Sequence, residues 1–335
     1  MMGTGEAAAL LTALLWAIGI FPFTQAAKRM GSMAVNNFRL LVATALLSVG
    51  LMIWVDVQPL EWFRKPGMES WFWMSLSGLV GLTIGDYFSF ASFALLGPRL
   101  SSVFSTLAPS AALFFAWALL GERVPVVALL GMLITLMGVW MVVLAPGESV
   151  PEKPEGKSLV RGIWYAAAAA VCQGVGLVFS RIGLRPGDSA SPLSAWFAHH
   201  ATEHVTIAPL HAAWMRMFSA TFMAYIFVVI SGRLRSTSLP ILTNQGKGLP
   251  FLFAGTAFGP VLGMITSMWA ITLIPAPIAQ TIFSLVPVLV MVLGAVFFKL
   301  PLRRNLIAGC LVAIFGVLVL IWRQEIIELY LWMFA

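Results

Sequence analysis

Asp86 is the one acidic side chain that lies deep inside an apolar stretch of this sequence, about 16 residues into the run 70–96. A carboxylate at the centre of a bilayer costs about 3 kcal/mol or more, so such a residue marks a functional site by default. The sequence offers no equally deep Lys or Arg as a permanent partner. We predict that Asp86 faces a central cavity and carries either a coupling proton or the positive charge of a substrate. The alternative is a structural Asp86 that only fixes helix packing.

Two arginines, Arg39 and Arg216, stand at matching positions near the start of the apolar runs 34–55 and 212–231. Long basic side chains near span ends usually reach back to the headgroups, which is the simpler interpretation. Their matched placement also allows a gate or an anion contact.

Further polar and aromatic residues within apolar runs are candidates for the wall of a cavity. Such a lining suits an amphipathic or aromatic small molecule, which would be cationic if Asp86 binds it. Pro109 and Pro287 each free a backbone carbonyl inside a span, so that a hinge and a static kink both remain open. The other candidates for the substrate or proton pathway are Trp16, Tyr87, Gln173, Ser267, Trp269 and Gln280.

All four histidines fall between positions 199 and 211. His200, Glu203 and His204 spell H-x-x-E-H, which on a helix places two imidazoles one turn apart, a geometry that can hold Zn²⁺. The pattern is short, and its surroundings of Ser, Pro, Gly and aromatic residues favour a helix lying on the membrane surface. We expect no cofactor and no metal site, and we keep a membrane-embedded metalloenzyme as the alternative function.

The elements that must position these residues are membrane spans. Apolar residues make up 60% of the chain and charged residues 10%, whereas soluble domains carry about 25% charged residues. Each apolar run is near the ~20 residues that a helix needs to cross the hydrocarbon. The sequence therefore predicts an all-α polytopic membrane protein with ten spans: 5–27, 34–55, 70–96, 101–120, 125–145, 159–184, 212–231, 249–273, 278–298 and 303–323.

The second half of the chain repeats the first. Gly81 and Gly85 recur as Gly259 and Gly263, at a displacement of 259 − 81 = 178, as do eight further residues between Ser89 and Val139. Five spans per copy is an odd number, so the second copy must enter the membrane with the opposite orientation. Inverted repeats are typical of transporters, because exchanging the conformations of the halves opens the protein to the other side.

Three stretches of the first copy carry a family resemblance: Leu96-Gly97-Pro98-Arg99-Leu100-Ser101-Ser102, Thr106-Leu107-Ala108-Pro109, and Leu120-Gly121-Glu122-Arg123-Val124, followed by Leu130-Gly131 and Met137-Gly138-Val139. Together they resemble the EamA-type branch of the drug/metabolite transporter superfamily. The resemblance implies two five-helix inverted repeats around a central cavity and export or exchange of small metabolites. Two departures are Lys299-Leu300-Pro301-Leu302 in place of Gly121-Glu122-Arg123-Val124, and about twenty extra residues between the first two spans of the second copy.

The expected organisation is a first repeat over 1–146, a linker over 147–158, a second repeat over 159–325 with an insertion at about 186–211, and a tail over 326–335. We expect a secondary-active transporter rather than an enzyme, working as a monomer or homodimer in a bacterial inner membrane. Its partners are the lipid bilayer, a small-molecule substrate and H⁺ as the candidate coupling ion. We expect no nucleic-acid partner, because the basic residues are scattered through short loops. Charge counting places both termini outside, whereas the resemblance places them in the cytoplasm.

Overall fold

The computed structural model of the chain describes residues 3–54, 59–144, 156–185, 207–232, 247–298 and 304–334, and the regular structure in these ranges is helical throughout. Two short segments are π-helical, Gly78–Ile84 and Ala257–Gly263. The α-helices are Thr4–Met30, Ser32–Trp54, Pro59–Arg64, Gly67–Ser77, Gly85–Ser105, Leu107–Leu120, Val126–Leu144, Gly156–Leu184, Pro209–Ile230, Leu249–Thr256, Met264–Leu273, Ala276–Phe283, Val286–Phe298, Arg304–Ile321 and Arg323–Phe334.

Nine described segments are long and apolar enough to cross a membrane, and a tenth follows when the bent pair near the C-terminus is counted as one span. Their apolar residues point in all directions, as a bilayer requires, since large side chains such as Trp54, Leu133 and Phe297 are exposed. The predicted ten-span helical fold is confirmed. In chain order spans 1 to 10 are Thr4–Met30, Ala34–Trp54, Gly67–Leu96, Leu100–Leu120, Val126–Leu144, Lys157–Leu184, Pro209–Ile230, Leu249–Leu273, Ala276–Phe297, and Leu306–Ile321 with Arg323–Trp332.

Contacts between the halves show that the repeat is inverted. The hydroxyl oxygens of Thr44 and Thr221, which occupy equivalent positions, lie 2.8 Å apart. In spans 5 and 10, Gly131 lies against Gly316 while Gly138 lies against Gly309, so the two contacts exchange under the displacement of 178. Residues late in one span contact residues early in the other, which means that the two spans are antiparallel. A two-fold axis that relates antiparallel spans must lie in the membrane plane, as predicted.

The π-helical segments occupy nearly equivalent positions, with 257 − 78 = 179, in spans 3 and 8. The first contains Gly78 and Gly81 and the second contains Gly259 and Gly263, and backbones approach closely at these glycines. A Cβ on Gly78 would lie 2.6 Å from the carbonyl oxygen of Arg216, and one on Gly19 would lie 3.2 Å from the backbone nitrogen of Gly259. Short π segments widen a helix by one residue and often accompany functional sites. Here they change which side chains face the interior beyond the glycines.

The C-terminal region, predicted as a tail over 326–335, is helical as far as Phe334. The helix Arg304–Ile321 breaks at Trp322, and the next helix, beginning at Arg323, departs at an angle of 64°. Arg323 Nη1 donates to Glu6 Oε1 at 2.6 Å and to the carbonyl of Leu320 at 2.6 Å. This ion pair joins the start of span 1 to the end of span 10. We call the membrane face that carries both ends the terminal side.

The insertion predicted at 186–211 is too long at its C-terminal end, because span 7 begins at Pro209 and already contains His211. The His211 ring nitrogen Nε2 lies 2.9 Å from the carbonyl oxygen of Trp62, and the side chain is buried. It therefore belongs to the helix packing and not to a surface segment. His200, Glu203 and His204 lie outside the described residues.

Leu184 and Ile207, which flank the segment 186–206 in the sequence, lie next to each other, since the Ile207 backbone N–H donates to the Leu184 carbonyl at 3.5 Å. We expect that replacing 186–206 by a short glycine linker leaves membrane insertion, thermal stability and transport close to those of the intact chain. Size-exclusion profiles and uptake by proteoliposomes measure this. Lost transport with normal insertion would show instead that the segment takes part in the mechanism.

Candidate functional site

A cavity of about 800 Å³ lies between the two repeats. Span 3 runs away from the terminal side and contributes its later residues Ser89 and Phe93, whereas span 6 runs toward that side and contributes its earlier residues Ala166 and Ala169. The cavity therefore occupies the half of the protein opposite the termini. Its volume is in the range of pockets that enclose a drug-sized molecule.

The wall of the cavity is apolar with a limited set of hydroxyl and amide groups. Trp16 packs edge-to-face against Phe283, with ring centroids 5.0 Å apart. Serine hydroxyls and the two glutamine amides supply hydrogen-bond donors and acceptors without fixed charge. This combination suits an amphipathic molecule. The polar wall residues are Ser89, Ser92, Ser101, Ser102, Ser105, Gln173, Gln280 and Ser284.

The structure brings together three of the predicted pathway residues, Trp16, Gln173 and Gln280, on the cavity wall. Tyr87 and Trp269, in contrast, are about half exposed on the outer surface, and Tyr87 packs against Phe88 and Phe227. Ser267 is fully buried and donates to the carbonyl of Met264 at 2.9 Å. The predicted lining is wrong for these three.

The reason for this error is rotational. In a helix successive side chains are rotated by about 100° around the helix axis, so the residue next to one that faces the cavity lies on a different face of the helix. Ser89 and Phe93, four apart, line the cavity, while Tyr87 lies on another face of the same helix. A π segment precedes the helix Gly85–Ser105, and another precedes the helix Met264–Leu273. The inward faces of these two helices could therefore not be assigned from apolar spacing alone.

Asp86 is paired, which overturns the expectation that no deep basic residue reaches it. Arg39 Nη2 donates to Asp86 Oδ2 in a short ion pair, and Arg39 Nε donates to Asn36 Oδ1 at 3.0 Å. Gln173 Nε2 donates to Asp86 Oδ1 at 3.3 Å and to the Gly81 carbonyl at 3.1 Å. Arg39 lies two turns inside its helix, so its long side chain extends inward rather than to the headgroups. Gln173 places Asp86 next to the cavity wall.

Arg216 is also inside the protein, with 4% of its surface exposed, so the headgroup interpretation is wrong for it as well. Its Nη1 donates to the sulfur of Met264 at 3.6 Å, and its Nε has no hydrogen-bond partner among the residues the structure describes. A Cβ on Gly81 would lie 2.8 Å from its Nη2. It is close enough to Asp86 for the two charges to interact.

A third ion pair, not predicted from the sequence, lies at the terminal side. Arg181 Nε donates to Glu122 Oε1, and Arg181 Nη1 donates to the carbonyls of Ile271 and of Ile274, the latter at 2.9 Å. These contacts tie together the terminal-side ends of spans 4, 6 and 8. We call Arg181, Glu122 and the two carbonyls the latch. The available signal was Glu122 in the family-like stretch, whose equivalent in the second copy is Leu300.

The two prolines predicted as hinges lie just after breaks in their spans. The helix beginning at Leu107 follows a turn at Thr106, and the helix beginning at Val286 follows a turn at Ser284. A proline in the first turn of a helix leaves no intrahelical hydrogen bond unmade. Pro287 lines the cavity and Pro109 is buried. Their action as hinges stays a prediction.

The described part of the chain holds no group of three or more His, Cys, Asp or Glu side chains that could bind a metal ion. No described residue supports the metalloenzyme alternative.

Ten helical segments in an inverted repeat, with a cavity between the halves, define a polytopic membrane protein of the kind that moves small molecules. The profile of the EamA-like transporter family matches residues 3–144 and 193–322, and the chain belongs to that family. No curated protein matches the chain. One solved crystal structure, described only as that of a protein, is similar with a TM-score of 0.63 and 18% identity over 95% of this chain and 96% of the other. At that identity the likeness concerns the fold.

Proposed function

We propose that this protein is a secondary-active transporter that moves small amphipathic metabolites by alternating access. The observation that carries the proposal is the arrangement of the cavity: it lies between the two repeats in the half opposite the termini, while the latch joins the ends of spans 4, 6 and 8 on the terminal side. An inverted repeat can exchange the conformations of its halves, which would give the cavity access to the terminal side. The chain contains no G-x-x-x-x-G-K-[ST] sequence for ATP.

We also propose that transport is export or exchange across a bacterial inner membrane, as the family resemblance implies, with the protein acting as a monomer or homodimer. The breaks before Pro109 and Pro287 would be the points at which spans 4 and 9 bend. The latch would open each time the terminal side opens.

Filling the cavity tests the proposal. Ala169 lines the cavity, so Ala169→Trp should reduce uptake of a transported compound into proteoliposomes about tenfold or more, because the indole occupies the volume that the substrate needs. Ala118 is exposed on span 4, and Ala118→Trp is the matched control with the same change in size. Unchanged transport by a folded Ala169→Trp variant would show that substrates do not pass through this cavity.

A further inference from the structure

The two buried arginines occupy equivalent positions but have different partners. Arg39 donates hydrogen bonds to the amide oxygen of Asn36 and to the carboxylate of Asp86. At the positions equivalent to these partners the second copy has Ala213 (213 − 36 = 177) and Met264 (264 − 86 = 178). Among the described residues Arg216 donates to the Met264 sulfur, and its Nε is buried without a hydrogen-bond partner there. One repeat supplies its arginine with an anion and the other does not.

This difference leaves uncompensated positive charge in the protein interior. Arg39 and Arg216 contribute +2 and Asp86 contributes −1, so the charge cluster, as we call these three residues, is +1 when Asp86 is ionised. From span 6, the neutral Gln173 contacts Asp86 and the thiol-bearing Cys172 lies against Gly85. A buried ion without a counter-charge is unfavourable because it loses its hydration, and within membranes such groups are found on transport pathways.

The charge cluster adjoins the cavity. Gln173 is part of the cavity wall and donates to Asp86 Oδ1, and Ser89 lines the wall one turn after Asp86. The Arg39 side chain retains 21% exposure, so it is not fully enclosed by protein. The wall itself carries hydroxyl groups, which donate well to anions, beside the apolar Trp16 and Phe283.

We propose that the charge cluster binds the carboxylate or phosphate group of an amphipathic anion, and that binding is coupled to proton uptake by Asp86. The proposal rests on the proposed transport function and names its substrate class. In the loading step the hydrogen bond from Arg39 to Asp86 Oδ2 breaks, a bond from Arg39 to the anion forms, and Asp86 takes one proton from water. A singly charged anion and one proton together leave the site at +1, the same charge as in the empty site.

The reverse expectation, that Asp86 attracts a cationic substrate, does not fit this arrangement. The carboxylate is already engaged by Arg39, and Arg216 adds a second positive charge nearby. A cation entering the site would meet net repulsion. If Asp86 took up a proton without an anion, two buried cations would remain unpaired, which is why proton and anion must load together.

The experiment compares compounds that share an apolar body and differ only in the charged group: phenylacetate with phenylacetamide and phenethylamine, and indole-3-acetate with indole-3-acetamide and tryptamine. Thermal stabilisation of the purified protein measures binding. A pH indicator in weakly buffered solution measures how many protons the protein takes up on binding. We expect the anions to stabilise the protein, with uptake of about one proton for each anion bound. In the pH range in which Asp86 is ionised in the free protein, anion affinity should fall about tenfold for each unit rise in pH. Phenyl phosphate, in the same assay, compares a phosphate group with a carboxylate.

Two variant pairs test the residues. Met264→Asp gives Arg216 the missing carboxylate and should weaken anion binding at least about tenfold, whereas the neutral Met264→Asn should leave it close to that of the unchanged protein. Asp86→Asn should retain anion binding but lose the accompanying proton uptake and the pH dependence.

The inference is overturned if the amines or amides bind as well as the anions, if no anion binds, if Met264→Asn weakens binding as much as Met264→Asp, or if Asp86→Asn still takes up the proton. Failure of the transport proposal is a separate result. In that case Ala169→Trp has no effect on uptake, or no compound of any charge crosses the membrane.

Discussion

Gly138→Leu is expected to abolish the packing of span 5 on span 10. A Cβ on Gly138 would lie 2.6 Å from the Ala313 Cα and in direct collision with the Ala313 backbone nitrogen. Backbone atoms of a helix cannot move aside as a flexible side chain can, so the helices must separate and lose the small-residue contact that holds them together in lipid. Little folded protein should remain, which size-exclusion chromatography in detergent measures.

The control for this variant is Gly50→Ala. A Cβ on Gly50 would lie 3.7 Å from the Leu210 Cδ1, which is ordinary van der Waals contact. In a helix alanine is favoured over glycine by about 1 kcal/mol, so the melting temperature should stay the same or rise. A Gly138→Leu protein that elutes and melts like the unchanged chain would contradict the close crossing of the two spans.

Arg181→Gln is expected to open the terminal side of the protein. The substitution removes the ion pair with Glu122 and weakens the bonds to the carbonyls of Ile271 and Ile274. Both charged side chains are mostly buried, with 15% and 17% exposure, so removing one partner leaves the other poorly solvated in the closed state. The balance should shift toward the terminal-open state, and transport should fall because the cycle no longer closes efficiently.

Labelling of a cavity cysteine measures this shift. The reporter is Gln280→Cys in a background in which Cys172 and Cys310 are replaced by alanine, with an impermeant maleimide added to oriented vesicles. With Arg181→Gln, labelling from the terminal side should increase about tenfold, the change expected when about 1.4 kcal/mol of closing free energy is lost.

Arg185→Gln is the matched control, because Arg185 donates to the Thr272 carbonyl at the same end of span 8 without belonging to the latch. It should change terminal-side labelling much less. Equal labelling of the Arg181→Gln variant and the unchanged protein would show that the latch does not hold this side closed.

Much of the fold could be predicted from the sequence because the bilayer permits few solutions. An apolar run of about 20 residues has to be a helix, and an odd number of spans per copy has to invert the second copy. Thr44 and Thr221 occupy equivalent positions in the two copies, and the structure places their hydroxyls 2.8 Å apart across the two-fold axis. Turns and bends were harder to predict from the sequence, as the helical tail beyond Arg323 shows.

The candidate site depended far more on the tertiary structure. Sequence alone identified Asp86 as an unusual residue and Arg39 and Arg216 as an equivalent pair. It could not pair Arg39 with Asp86, because these residues are 47 positions apart on different spans and only packing decides which faces meet. The same holds for the latch, in which Glu122 and Arg181 are 59 residues apart.

Hydropathy and the repeat thus determined the number and type of the spans and the opposite orientation of the two copies, since the membrane penalises every alternative. Only the tertiary structure decided which side chains face the cavity, because the π segments at Gly78–Ile84 and Ala257–Gly263 shift the helical register. It also decided that the buried charges form a cluster. Ion pairs depend on distances of a few ångströms between separate helices, and no spacing along one helix contains that information.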